Sequence, residues 1–155
     1  MLRTKGFSFL FFLLIGFCGF SQSKLPKPDA IFLNKVQKKE LRIYEYLQKY
    51  VGTVSGKKKQ KTNGKSLCYW EEAFNHNIYF RNDSCSESNK MISLTFIGYS
   101  KDDVVKLAET FYKTFDNDWN EDQTAYSPTD KGAGYYIRII ELSTKTIRLS
   151  INYRS

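Results

Sequence analysis

The 155-residue sequence is poor in the residues that several protein classes require. It has one histidine, so a metal site or catalytic mechanism that needs two imidazoles in one chain is excluded. Nine glycines and three prolines are too few for a collagen-like or disordered chain, and 41% hydrophobic residues are too many for a solvated tail. The length predicts one domain that can bury a core of its own.

The first residues have the pattern of a secretory signal peptide. Two basic residues precede a mostly apolar run, residues 7–20, which is shorter than the ~20 apolar residues that a membrane-spanning helix needs. We predict that residues 1–21 are a signal peptide cleaved after Ser21, that no membrane span remains, and that the protein is periplasmic or secreted. An uncleaved anchor and a lipoprotein acylated at Cys18 are the alternatives, although the bulky Phe17 disfavours a lipoprotein.

The remaining residues, 22–155, are predicted to form a single basic domain. Removing residues 1–21 takes away two of the 24 basic residues and none of the 16 acidic ones, so the mature chain keeps a net charge of +6. Such a balance favours an anionic partner.

The order of the predicted elements indicates an α+β fold. Asp29 can cap a helix that we expect to run to about Val51 and to end at Gly52. Ser100, three residues before Asp103 and ahead of apolar residues at helical spacing, indicates the start of a second helix. Strands are predicted at residues 67–74, 78–82, 91–99, 135–142 and 147–153, with a short one near 124–126. We therefore predict an antiparallel sheet of about five or six strands with two helices packed on one face, and one disulfide.

Two cysteines of the mature chain are placed to form that disulfide. Export brings Cys68 and Cys85 into an oxidising compartment, and the turn-prone Asn75-His76-Asn77 indicates a hairpin between them. If His76 and Asn77 form a two-residue tip, the cysteines lie directly opposite each other at a distance that a disulfide spans. We predict a structural bridge, because catalytic pairs are usually much closer in sequence.

The densest positive charge lies in residues 52–65, which we predict to be a mobile loop. Lys57, Lys58, Lys59 and Lys61 can contact another protein or an anionic component of the envelope. The alternative is a loop that its charges merely keep soluble. Nucleic acid is not expected as a partner, because the protein is exported and the segment has no interleaved aromatic residues for base stacking.

The polar segment 116–134 holds two further candidates for partner binding. Trp119 and Tyr126 lie outside any periodic apolar pattern, so we predict that they anchor a partner; packing at the end of the core is the alternative. Asp116 and Asp118 begin a spacing similar to that of a calcium loop. Glu121 occupies the position where that loop needs glycine, so no metal is predicted.

Catalytic residues are not indicated by the sequence. His76 has no evident nucleophile or orienting partner, and Glu71 and Glu72 are predicted to point to opposite faces of a strand. We expect no cofactor. The interpretation is an exported, non-enzymatic binding or accessory module, such as an inhibitor, an immunity-type protein or an envelope-assembly subunit, acting through the basic loop and exposed aromatics. A small secreted hydrolase that acts on a glycan or peptide is the alternative.

Overall fold

The computed structural model describes residues 24–86, 88–112, 125–126 and 134–153. The predicted signal peptide lies outside these residues. Helices α1 (Ala30–Val36), α2 (Arg42–Tyr46) and α3 (Lys101–Phe111) are present, and a π-helical turn (Leu47–Val51) follows α2. The strands are β1 (Thr53–Asn63), β2 (Ser66–Phe74), β3 (Ile78–Asp83), β4 (Lys90–Ile97), β5 (Ala125–Tyr126), β6 (Tyr135–Ser143) and β7 (Thr146–Tyr153).

The described strands form one antiparallel sheet in the order β1-β2-β3-β4-β7-β6-β5. Strands β1 to β4 follow one another as hairpins, whereas β7 pairs with β4 across the intervening α3 and β6. Six strands have six or more residues, and β5 adds a two-residue edge. The predicted α+β fold with an antiparallel sheet is confirmed.

The hydrophobic core lies between the helices and one face of the sheet. Alternate residues of the central strands are buried on this face, for example Phe74, Phe80, Leu94 and Leu149, each at most 1% exposed. They form one cluster with buried residues of all three helices. Because side chains alternate along a strand, the intervening residues occupy the opposite face. No described helix packs there.

The first predicted helix begins as expected but is interrupted. The Asp29 carboxylate accepts a hydrogen bond from the Phe32 backbone N–H at 2.7 Å, as an N-cap should. Instead of continuing to Val51, α1 ends at Val36, and the Arg42 guanidinium donates to the carbonyls of Gln37 and Lys39, which follow the helix, at 2.7 and 2.9 Å. One side chain thus pairs with two carbonyls of the turn between α1 and α2.

The helix predicted after Ser100 is confirmed together with its cap. The Asp103 backbone N–H donates to Ser100 Oγ at 3.2 Å, and that hydroxyl donates to the Asp103 carboxylate at 2.6 Å. Val104, Leu107 and Phe111 then face the core. This geometry fixes α3 over β6 and β7.

The β2–β3 hairpin forms where predicted, but its register is shifted by one residue. Phe74 pairs with Ile78 rather than with Tyr79. Three residues, 75–77, connect the strands instead of two, because Asn75 and His76 both adopt left-handed conformations with φ of 40° and 64°. The predicted two-residue tip is therefore wrong.

The predicted Cys68–Cys85 disulfide is present in spite of this shift. The register places Ser84 opposite Cys68, and the Ser84 backbone N–H donates to the Cys68 carbonyl at 2.8 Å. Cys85 follows directly, and the two cysteine Cα atoms lie 4.7 Å apart, within bonding reach. The bond thus ties β2 to the chain just after β3.

The lysine-rich segment is a strand, which corrects the prediction of a basic loop. Residues 53–63 form β1 and pair with β2 at the edge of the sheet. Ten of its eleven residues are exposed, so no alternation of apolar and polar residues marks it as a strand. The pairing contains several register shifts, and Lys59 has a φ of 50°, which kinks the strand.

None of the helices in the described ranges is long and apolar enough to cross a membrane.

Candidate functional site

Two neighbouring rows of side chains run across the open face of the sheet. Opposed residues of antiparallel strands share a face, so the register defines each row. One row consists of Ala73, Tyr79, Thr95 and Arg148, and the next of Glu71, Arg81, Ser93 and Ser150. The small side chains of Ser93, Thr95 and Ser150 lie beside larger ones, which leaves a depression on this face.

This depression, here called the open-face groove, has a volume of about 500 Å³. Such a size falls within the range of small-molecule sites, ~300–1,000 Å³. The groove extends over β1, β2, β3, β4 and β7. Its lining residues are Ser55, Lys58, Lys59, Glu71, Glu72, Ala73, Tyr79, Phe80, Arg81, Met91, Ser93, Thr95, Arg148 and Ser150.

Positive charge dominates the open-face groove. The basic side chains that line it are Lys58, Lys59, Arg81 and Arg148. Lys59 Nζ lies 3.0 Å from a Glu71 carboxylate oxygen, and Arg81 Nη2 lies 3.0 Å from an Asp83 carboxylate oxygen. Lys58 and Arg148 form no ion pair within the described part of the chain. Two cations therefore remain available to an anionic ligand.

Glu71 is held as a carboxylate beside these cations. The Tyr69 hydroxyl donates to its Oε1 at 2.6 Å, and Lys59 lies on the other oxygen. The hydrogen bond from Tyr69, followed by that from Lys59, lowers the pKa of Glu71, while Glu71 raises the pKa of Lys59. A carboxylate held in this way orients its neighbours but does not donate a proton near neutral pH.

Polar groups and an aromatic ring complete the open-face groove. Tyr79 is 47% exposed although it lies on a central strand, and its hydroxyl donates to the His76 carbonyl at 3.2 Å. Ser93, Thr95 and Ser150 contribute hydroxyls near it. Ser150 is only 8% exposed, and its hydroxyl has no hydrogen-bond partner among the described residues. This hydroxyl is not among the buried unpaired side-chain atoms of the described residues, so it is open to water and can bind a polar ligand.

The four predicted lysines do not act as one surface. Lys58 and Lys59 line the open-face groove, whereas Lys61 lines a separate depression, with Nζ 5.4 Å from the centre of the Tyr69 ring. Lys57 instead lies against the core side, with Nζ 4.5 Å from the centre of the Trp70 ring. Side chains alternate between the two faces of β1, and the strand is kinked at Lys59, so the four lysines do not share one face.

Of the two predicted aromatic anchors, only Tyr126 belongs to the described residues. Trp119 lies outside the described residues, as do Asp116, Asp118 and Glu121 of the calcium-like spacing. The backbone of Tyr126 belongs to β5, which pairs with β6 at the edge of the sheet opposite β1. Six strand spacings of about 4.8 Å separate the two edges by roughly 29 Å.

His76 is not among the residues that line the open-face groove, and Glu72, which borders it, turns its side chain to the core. His76 occupies the hairpin turn, as predicted. Glu72 and Glu71 do point to opposite faces: the Glu72 side chain is buried on the core side and accepts a hydrogen bond from the Tyr44 hydroxyl at 2.7 Å. Gln48 Nε2 donates to that hydroxyl at 2.9 Å, which completes a buried polar network. No three potential metal ligands cluster anywhere in the described ranges.

Sequence reasoning missed Tyr79, Arg81 and Arg148 as site residues. Each stands between buried residues of an alternating strand, which indicates the exposed face of a sheet. That signal does not show which strands are neighbours. The pairing of β4 with β7 brings Arg148 beside Thr95, although these two residues are 53 positions apart in the sequence.

Comparisons with protein-family models, curated proteins and solved structures found no significant match.

Proposed function

We propose that this chain is an exported, non-enzymatic binding module that holds an anionic partner on the open face of its sheet. The observation that carries the proposal is the open-face groove, in which Lys58 and Arg148 have no ion-pair partner among the described residues. The signal-peptide pattern of residues 1–21 and the Cys68–Cys85 disulfide support export.

A hydrolase has less support from the same groove. A general acid needs a carboxyl whose pKa is raised. An acid–base pair therefore consists of two titratable groups whose surroundings shift their pKa values in opposite directions. Within the described groove, the pKa of Glu71 is lowered by Tyr69 and Lys59. The titratable groups of the groove are therefore mostly cations around a stabilised carboxylate. Such a set is better suited to binding an anion than to transferring a proton.

The proposal is tested by reversing charge inside and outside the groove. The processed, exported protein and its Lys58→Glu/Arg148→Glu variant are titrated with fluorescent polyanions: polyglutamate, oligogalacturonate, heparin fragments and phosphatidylglycerol vesicles. We expect at least one probe to bind, and the variant to bind it at least about tenfold more weakly, since each reversed charge changes the interaction by roughly 1–2 kcal/mol.

A matched control distinguishes the groove from net charge. Lys38 and Lys106 are exposed and lie outside the open-face groove. Their double replacement by glutamate changes the net charge by the same amount, so binding should stay near the wild-type value. Equal losses in both double variants, or no binding of any probe at low salt, would contradict the proposal.

A further inference from the structure

We propose that the ligand of the open-face groove is a short anionic saccharide, whose sugar rings pack on Tyr79 and whose carboxylate or sulfate groups bind Lys58 and Arg148. This inference rests on the proposed function and narrows its partner to one chemical class. It is drawn from three observations: the exposed ring, the unpaired hydroxyl and the unpaired cations.

The exposed ring is suited to contact a sugar. Tyr79 is 47% exposed in the middle of the sheet, where it offers an aromatic face beside the basic residues. Aromatic rings supply large, rigid contact area at a binding site. Thr95 pairs with both Tyr79 and Arg148 in the register, so ring, hydroxyl and guanidinium follow one another along a single row.

The hydroxyls favour a ligand rich in hydroxyls. Ser150 is 8% exposed and its hydroxyl has no partner among the described residues, while Ser93 lies directly opposite it on β4. A serine can both donate and accept, which matches sugar hydroxyls. Anionic oxygens can only accept from these hydroxyls, whereas the hydroxyls of a sugar can also donate to them.

An acidic peptide fits the groove less well. Extended peptides usually bind a sheet by adding a strand at a free edge, where backbone groups are unpaired. Most of the groove lies over β2, β3, β4 and β7, which are paired with neighbours on both sides, and only its β1 side borders a free edge. A peptide there would have to leave its own backbone groups unpaired.

A membrane surface also fits poorly. Ser150, which is 8% exposed, lines the depression below the level of its larger side chains. A flat layer of headgroups can meet the rim of such a groove but does not fill it. A chain of sugar rings is narrow enough to enter.

The test compares one saccharide with and without its charge. Titration calorimetry of the processed protein uses tetragalacturonate and its fully methyl-esterified form, which keeps the rings and loses the carboxylates. A heparin tetrasaccharide distinguishes sulfate from carboxylate, and polyglutamate and phosphatidylglycerol vesicles represent the other partner classes. We expect one of the two charged tetrasaccharides to bind. If it is tetragalacturonate, the methyl-esterified form should bind at least tenfold more weakly.

Variants of the ring separate stacking from charge attraction. Tyr79→Ala should weaken saccharide binding at least tenfold, whereas Tyr79→Phe keeps the ring and should bind nearly as the wild type does. Tyr136 is 38% exposed on the same face but outside the groove lining, so Tyr136→Ala is the matched control and should have little effect.

The outcomes separate this inference from the proposed function. Binding of polyglutamate or vesicles alone, lost on Lys58→Glu/Arg148→Glu, would overturn the saccharide and leave the binding module standing. Saccharide binding that is unchanged in Tyr79→Ala would also overturn it. If no probe binds in a manner that depends on the groove cations, both proposals fail.

Discussion

Removing the Cys68–Cys85 disulfide should lower the free energy of unfolding by about 3 kcal/mol. The cysteines are 17 residues apart, and the chain-entropy relation gives ~3 kcal/mol at 25 °C for a loop of this length. The folded hairpin remains closed without the bond, because the Ser84 backbone N–H and Asn82 Nδ2 donate to the Cys68 carbonyl at 2.8 and 2.9 Å. The loss should therefore arise in the unfolded chain, which becomes less restricted.

Urea unfolding of a Cys68→Ala/Cys85→Ala variant, followed by circular dichroism, measures this effect. We expect a native spectrum like that of the wild type, a lower midpoint, and a steeper dependence on urea, since an uncrosslinked chain exposes more surface on unfolding. Wild-type protein unfolded in reductant is the control and should behave in the same way. An unchanged midpoint, or two reactive thiols in the oxidised wild type, would refute the reasoning.

Three further predictions concern hydrogen bonds in the helical layer. Tyr44→Phe removes the donor to buried Glu72 and should cost about 1.5–3 kcal/mol, and a double-mutant cycle with Glu72→Gln, measured by urea unfolding, should show coupling between the two residues. Ser100→Ala removes the N-cap of α3 and should cost about 1 kcal/mol by the same measurement. A hydrogen bond from Tyr50 contributes most to lowering the pKa of Asp29 from 3.8 to about 2. Because the pKa is lower in the folded state, the ionised Asp29 stabilises the fold fully above pH 3.8, and this stabilisation is lost as the pH falls towards 2. Asp29→Asn should therefore make the thermal midpoint fall less steeply between these two pH values.

Features with short-range causes could be predicted from the sequence. The caps at Asp29 and Ser100 depend on a side chain and a backbone amide three residues away, so residue type and spacing suffice. The disulfide was predictable because Cys68 and Cys85 flank one hairpin, and its geometry tolerates a shift of one residue. The exact turn was not, since it depends on both Asn75 and His76 adopting positive φ.

The open-face groove depends on contacts that no local pattern reveals. β1 is exposed on both faces, so it carries no apolar periodicity and resembles a charged loop. The break between α1 and α2 is stabilised by the Arg42 side chain, which reaches back to carbonyls at the end of α1. Arg148 joins the groove only because β7 pairs with β4 after a connection that contains α3 and β6.

The position of the lysines on β1 affects how copies of this protein meet one another. An edge strand presents unpaired backbone groups to which a second copy could add its own edge, the first step towards aggregation. In the described sheet, β1 is outermost on its side, its lysines repel a like-charged edge, and the kink at Lys59 interrupts the straight row of backbone groups. A variant with four glutamines in place of Lys57, Lys58, Lys59 and Lys61 should therefore lose this repulsion between copies, while Arg81 and Arg148 stay in the groove.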